Sequence, residues 1–436
     1  MSRSGASNRP ADVSTAPRAR SILRDPVFGR LWFIQAANQV GGNMALYALT
    51  VLVFSTTRSN SAVSALLVSF VLPQIVLSPF AGVIVDRLDL RWALVVPNFV
   101  RMLLTAALAL VGADVPLLLA LNLGISLMSV ALTPAEASMI PRVVPKPQLE
   151  VAMSVFNLTL QASFAVGFAF LGPLLVAVAG PSFVLGVVTA FYVAATFATT
   201  GLPSALPIRT GPDHRQVGWR DPIWQLRDGL LVVRRSPAIN QPIIVLAAAT
   251  SIAGVLGVLG PSLATTVGLE PEQLAVVVVP LGLGVVAGVL GLRRFGGAIA
   301  RSRMAERALL GLGLMTLAIA GVGPLDPVVR GLGLSIGDLA VGALPLVVLL
   351  AFAAGAAYAI TSVTAQTTLL ESTPADVRGR VFGVLAAIVS AGSLAPSLLA
   401  GPLADRSSTP AVIAIAGLGI MAVALWSIRR RGTTLD

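Results

Sequence analysis

Twelve stretches of mostly apolar residues, each roughly the 20 that a helix needs to cross a bilayer, run through this chain of 436 residues. They fall at about 31–54, 62–85, 92–112, 116–139, 151–178, 182–202, 243–265, 273–292, 306–323, 341–369, 381–403 and 409–427. No other feature restricts the fold as tightly. In hydrocarbon every backbone polar group must be satisfied within the protein, so each run is predicted to be a helix. The tenth run is overlong, which a tilted or bent helix accommodates. Glycine and proline are frequent inside the runs, as bilayer helices allow.

Composition supports the same solvent. Hydrophobic residues make up 56% of the chain and charged residues 11%, against about 25% charged in a soluble domain. Cysteine is absent and His214 is the one histidine. That removes disulfide frameworks, thiolate metal sites and most zinc, haem and serine–histidine chemistry. No cofactor, metal or enzymatic activity is expected, because the spans hold no constellation of histidine, cysteine and aspartate. The net charge of +11 comes from arginines between apolar runs. It points to the membrane surface rather than to nucleic acid.

Residues 1–26 are expected to form a disordered basic tail. No short apolar segment with a cleavage site precedes the first run, so no removable signal peptide is expected. If the amino terminus is cytoplasmic, 26 of the 30 basic residues fall in cytoplasmic segments. Arg58, Arg330 and Arg406 fall outside, and Arg101 lies within the third span. The asymmetry predicts a multi-pass protein of the cytoplasmic (inner) membrane with both termini in the cytoplasm. It also supports the count, since one missed span would invert every later loop.

The chain divides near its middle. Pro145 recurs as Pro374, and Gly172-Pro173-Leu174 as Gly401-Pro402-Leu403, both at an offset of 229 (374 − 145; 401 − 172). A parallel repeat of two six-helix halves follows, with an N-terminal bundle at 27–202 and a C-terminal bundle at 242–428. Between them lies a cytoplasmic linker, 203–241, and a short tail at 429–436 closes the chain. Within the linker, Trp224 to Arg235 has the pattern of an interfacial amphipathic helix.

Between the second and third spans stands Gly82-Val-Ile-Val-Asp86-Arg87-Leu-Asp-Leu-Arg91. It resembles the Gly-x-x-x-Asp-Arg loop signature of the major facilitator superfamily. A degraded copy, Gly297-Ala-Ile-Ala-Arg301, follows the eighth span. Ser372-Thr-Pro-Ala-Asp-Val-Arg378-Gly-Arg380-Val-Phe is similar to a segment of the third drug–proton antiporter group, which includes enterobactin exporters and macrolide-efflux proteins. Phe28-Gly-Arg-Leu-Trp32 and Ile140-Pro-Arg-Val-Val-Pro145 are similar to the same group. The resemblance covers nearly the whole chain beyond the tail. It implies an all-α membrane protein of twelve transmembrane helices in two pseudo-symmetric halves, rocking about a central cavity, with monomer as the default state. The chain departs from the group in three places. Gly42-Asn43 stands where members carry Gly-Asp, Asn98 stands where an acid precedes the third-span arginine, and only Gly172-Pro173 survives of a longer fifth-span signature.

By resemblance, spans one, four, seven and ten line the cavity, and spacing supports this independently. Asn122, Ser126, Ser129, Thr133 and Glu136 recur at steps of 4, 3, 4 and 3, on one helix face. Gln35, Gln39, Asn43, Tyr47 and Thr50 form a similar stripe in span one. Span seven offers Thr250 and Ser251, and span ten offers Tyr358, Thr361, Thr364 and Thr368. Such stripes face a bundle or water rather than lipid. Cavity lining competes with plain interhelical hydrogen bonding, worth ~0.6 kcal/mol each. Lining is favoured for spans one and four, and the two readings are even for the others.

Glu136 is the candidate for proton coupling. The competing reading is an ion pair with Arg101 or Arg142, which its place near the cytoplasmic end of span four favours. Asp86, Arg87, Arg91, Arg101, Arg378 and Arg380 are expected to form a cytoplasmic gate that holds the outward-facing state. Gly282, Gly284 and Gly288 are read as helix packing, not phosphate binding. The expected function is secondary active export of small amphipathic or drug-like molecules, with protons as the coupling ion and the lipid bilayer as the surrounding partner. A lipid or lysolipid flippase, or an uncoupled facilitator, is the alternative.

Overall fold

A computed structural model describes residues 22–85, 87–112, 114–204, 221–295, 301–331, 335–336, 339–340, 344–374 and 377–432. Spans one to four become α1 (Pro26–Thr57), α2 (Asn60–Val85), α3 (Leu90–Val111) and α4 (Val115–Val143). Three start on an aspartate cap. Asp25 accepts from the Val27 and Phe28 amides, Asp89 from Arg91 and Asp114 from Leu117. Each satisfies amides that hydrocarbon would leave unpaired.

The fifth span begins as α5 (Leu149–Phe164), widens through a π-helical stretch, Ala165–Leu171, and runs into α6 (Gly172–Thr200). The chain reverses inside α6. Phe156, Gly167 and Gly172 meet α1 at Gln35, Val40 and Tyr47 in rising order, whereas Tyr192 and Gly201 meet Gly41 and Arg30 in falling order. The turn is Gly180-Pro181, where Gly180 has φ 81° and ψ 170°, a conformation open essentially to glycine alone. One helical run thus serves two spans. Eleven helices among the described residues are long and apolar enough to cross a membrane, and the run Lys146–Thr200 counts once among them. The chain is an all-α, multi-pass membrane protein with twelve spans.

A linker helix, α7 (Asp221–Arg235), precedes α8 (Pro237–Thr266), α9 (Ala275–Phe295), α10 (Arg301–Gly331), α11 (Leu344–Ser372), α12 (Arg378–Arg406) and α13 (Thr409–Gly432). A hairpin of two-residue strands, β1 (Ser335–Ile336) and β2 (Leu339–Ala340), joins α10 to α11. The helix α10 runs to Gly331, beyond the expected end near 323. The linker helix also departs from a purely interfacial placement. Val233 packs with Ile239 and Ile243 of α8, Leu369 of α11, and Val381 and Val384 of α12, so part of its apolar face docks on protein.

The halves repeat in their contacts. In the first, α1 packs on α6, α3 on α4 and α6, and α2 on α4. In the second, α8 packs on α13, α10 on α11 and α13, and α9 on α11. The α9–α11 contact is the tightest. A Cβ at Gly284 would strike Phe352 O, and one at Gly355 would strike Leu281 O, so small residues let the two backbones touch. Leu110, Leu158, Val178, Phe197 and Ile415 lie exposed on the outside, as lipid-facing side chains must.

We call the side holding Pro26 the near face and the side holding Thr57 the far face.

Candidate functional site

A buried polar cluster occupies the core of the first half. Glu136, on the near-face half of α4, is 1% exposed. Its Oε1 accepts from Asn38 Nδ2 of α1 at 3.3 Å. Arg101, halfway along α3, is 4% exposed. Its Nη2 donates to the Tyr192 hydroxyl of α6, and its guanidinium stands 4.1 Å from the centre of the Tyr192 ring. No contact ion pair joins Arg101 and Glu136, which bond instead to Tyr192 and Asn38 respectively. An ion pair among the described residues joins Arg58 and Glu270. Asn38 Oδ1, Asn98 Oδ1 and Arg101 Nε are buried with no hydrogen-bond partner among the described residues. The cluster therefore keeps unused donor and acceptor capacity. Beside it lies a small cavity, walled by Gly42, Phe70, Arg101, Asn122, Ser129 and Tyr192 among others. A carboxyl group and a guanidinium held apart in one apolar bundle form a pair whose net charge changes when Glu136 gains or loses a proton.

The structure distributes the predicted stripe residues among several neighbours. Asn122 donates to Ser69 Oγ and Ser126 to Phe70 O, both on α2. Ser129 bonds its own helix at Ile125 O, and Thr133 is exposed. On α1, Gln35 donates to Phe156 O of α5, and Asn43 donates to Gln39 O. Tyr47 is fully buried, edge-on to Phe168. In the second half, Thr250 and Thr361 bond their own helices, and Tyr358 is half-buried against the core. Ser251 also reaches Gly392 O of α12. Asn122 and Ser129 thus join the Arg101 cavity, while Gln35 and Tyr47 tie α1 to the fifth span.

Of the gate residues, Asp86 lies outside the described residues, as do the side chains of Arg378 and Arg380. Arg87 is exposed. Arg91 donates to Thr200 O at the end of α6, and Arg30 donates to Gly201 O. Both pin α6 within its own half. Arg101 is placed away from this near-face group, at mid-span with Tyr192.

The halves meet toward the far face. Ser64 of α2 donates to Ser397 O of α12 at 2.6 Å and accepts from the Gly401 amide. Ala169 of the π-helical stretch abuts Gly282 of α9. Arg58 and Glu270 pair at 3.7 Å in the far-face loops.

Comparison with known proteins then becomes decisive. The sequence profile described as Major Facilitator Superfamily matches residues 31–395. The chain belongs to the Major Facilitator Superfamily. It is a membrane transporter of that family. The multidrug efflux pump Tap of Mycolicibacterium fortuitum is 28% identical over 407 residues, covering 89% of this chain and 93% of that protein. Uncharacterized MFS-type transporters of Mycobacterium bovis and Mycobacterium tuberculosis are 35% identical over 160 residues. These matches span about a third of each relative, 35% of its length. The nucleoside transporter NupG superposes with a TM-score of 0.68 at 12% identity, over 92% of this chain and 98% of that one. A peptide transporter of the POT family superposes with a TM-score of 0.68 at 14% identity, over 96% and 99%. At these identities the likeness is one of fold.

Several residues of this superfamily member carry geometry that spacing did not single out. Asn38 lies off the α1 stripe, and Tyr192 is the one tyrosine of the sixth span. The second half hides its own acid. Glu306 of α10 accepts from Gln241 of α8 and from Ser427 of α13. A buried carboxylate opening a span was the available signal, since such groups are rare in hydrocarbon.

Proposed function

We propose that this chain is a proton-coupled exporter of amphipathic or drug-like small molecules that works by alternating access. In this reading the near face is cytoplasmic and both termini lie in the cytoplasm, as the arginine distribution requires. The observation that carries the reading is the enclosed Glu136 carboxyl, held by Asn38 in the same half as the buried Arg101. A carboxyl group walled off from water beside a fixed guanidinium has two charge states of different cost, and proton exchange switches between them. The efflux pump Tap, similar over nine-tenths of its length, supports the direction and substrate class.

The test is movement of a fluorescent cationic dye into proteoliposomes, with and without an imposed pH gradient. Gradient-driven movement is expected for the wild type, and Glu136→Gln is expected to abolish the gradient dependence. Dye movement indifferent to both the gradient and the substitution overturns proton coupling through Glu136. No dye movement under any condition overturns the substrate class and directs attention to lipids.

A further inference from the structure

The far-face end of α12 holds the most concentrated hydrogen-bonding contact between the two halves. Asp405 is the penultimate residue of α12. Its Oδ1 accepts from the Asn60 amide at 2.9 Å and from Asn60 Nδ2 at 3.0 Å. Its Oδ2 accepts from the Ser61 amide at 2.9 Å, Ser59 Oγ at 2.9 Å and Ser61 Oγ at 2.6 Å. Asn60 is the first residue of α2. The carboxylate therefore caps the amino end of α2, as an N-cap residue would, but it is supplied by the other half of the molecule. Charge-assisted bonds and the positive helix end both favour the contact.

The sequence around Asp405 is Gly401-Pro-Leu-Ala-Asp405-Arg406. It repeats the spacing of Gly82-Val-Ile-Val-Asp86-Arg87. Each copy stands at the carboxyl end of a span. The two spans run antiparallel against each other, with Asn60 beside Gly401 and Ser64 beside Ser397. Each span therefore ends toward the start of the other. The glycine has a physical task in the copy on α12. A Cβ on Gly401 would strike Asn60 O and Ser64 Oγ, so only glycine lets α12 come close enough for Asp405 to reach α2.

We propose that the Asp405 contact is a far-face latch that transport must break and remake. Asp405 on the start of α2 locks the far face. Rocking about the middle of the molecule separates one end as the other closes, so this latch parts as the near face closes. The inference rests on the alternating-access reading and adds a far-face residue that sets the balance between its two states.

The chain has no native cysteine, so introduced pairs report distances directly. In the full chain in lipid, spin labels at Thr56→Cys and Ser408→Cys read the far-face gap. Labels at Lys146→Cys and Leu370→Cys read the near-face gap. Asp405→Asn is expected to raise the ratio of wide to narrow far-face distances roughly tenfold, the effect of losing about one charge-assisted bond, and to narrow the near-face gap. An unchanged far-face distribution in folded Asp405→Asn overturns the proposal. If Asp405→Asn is not recovered from membranes, Ser59→Ala with Ser61→Ala removes two donors and keeps the charge. A smaller shift in the same direction is expected there, and no shift overturns the proposal. The readout needs no substrate, so it fails or succeeds independently of the dye assay.

Discussion

Arg101 and Tyr192 offer the sharpest test at the scale of single residues. The guanidinium uses the tyrosine twice, through its hydroxyl and through its ring face. Tyr192→Phe keeps the ring and removes the hydroxyl, leaving Nη2 of a buried cation without that acceptor. The expected cost is about 1.5–3 kcal/mol, the range for a hydrogen bond to a charged group. It is read as a lower unfolding temperature in detergent. The ring contact survives in this variant, so Tyr192→Leu is expected to cost more. Equal losses from the two substitutions would show that the ring contributes nothing. Glu136 and Tyr192 act on the same guanidinium, so the effects of Glu136→Gln and Tyr192→Phe are expected to be non-additive in a double-mutant cycle. Strict additivity would sever Glu136 from the Arg101 cluster. The sequence showed the α4 stripe but not this arrangement. Periodicity reports that Asn122, Ser126 and Glu136 share a broad face. It does not report that Asn122 and Ser126 turn to α2 while Glu136 turns to Asn38 of α1. The direction a polar side chain takes within a face depends on how neighbouring helices are rotated, and that is a tertiary property.

Helices were far more legible than contacts, for a physical reason. The bilayer imposes both a length and a composition on each span, so hydropathy marks the ends directly. The expected run 92–112 became Leu90–Val111, and 381–403 became Arg378–Arg406. The boundary expected between 178 and 182 falls on the Gly180-Pro181 turn, although the backbone stays helical on both sides of it. Docking of α7 on α8, α11 and α12 was not legible, because an amphipathic stretch looks the same whether its apolar side meets lipid or protein. Packing of α9 on α11 gives a prediction at this scale. Gly355→Ala places a methyl group against Leu281 O. Overpacking of this kind costs about 1–3 kcal/mol, and the yield of monodisperse protein is expected to fall with the unfolding temperature. Gly291→Ala, on the same α9 but with open space around its Cβ position, is expected to be neutral or to gain up to ~1 kcal/mol from helix propensity. If the two variants behave alike, backbone contact between α9 and α11 is not what holds the second half together.

At the scale of the whole molecule, the contacts between halves decide which side admits a ligand. Ser64 with Ser397, Ala169 with Gly282 and Arg58 with Glu270 all join the halves toward the far face. The exposed Arg58–Glu270 pair adds little to that closure, since solvent-exposed ion pairs contribute about 0–1 kcal/mol. The buried α2–α12 seam is the stronger element. A closed far face directs access to the near face, and Thr133 on α4 is positioned to report it. It lies one turn from Glu136 on the predicted cavity stripe and is exposed. Thr133→Cys, in a chain with no other thiol, is expected to react with a membrane-impermeant thiol reagent in inside-out vesicles and to be protected in right-side-out vesicles. Protection on both sides would mean that Thr133 faces lipid. Reaction from the opposite side alone would invert the orientation drawn from the arginines. Adding Asp405→Asn is expected to reverse the sidedness in part, because weakening the far-face seam moves molecules into the state that is closed at the near face. Sidedness unchanged by that substitution would mean that access at Thr133 is set by something other than the α2–α12 seam.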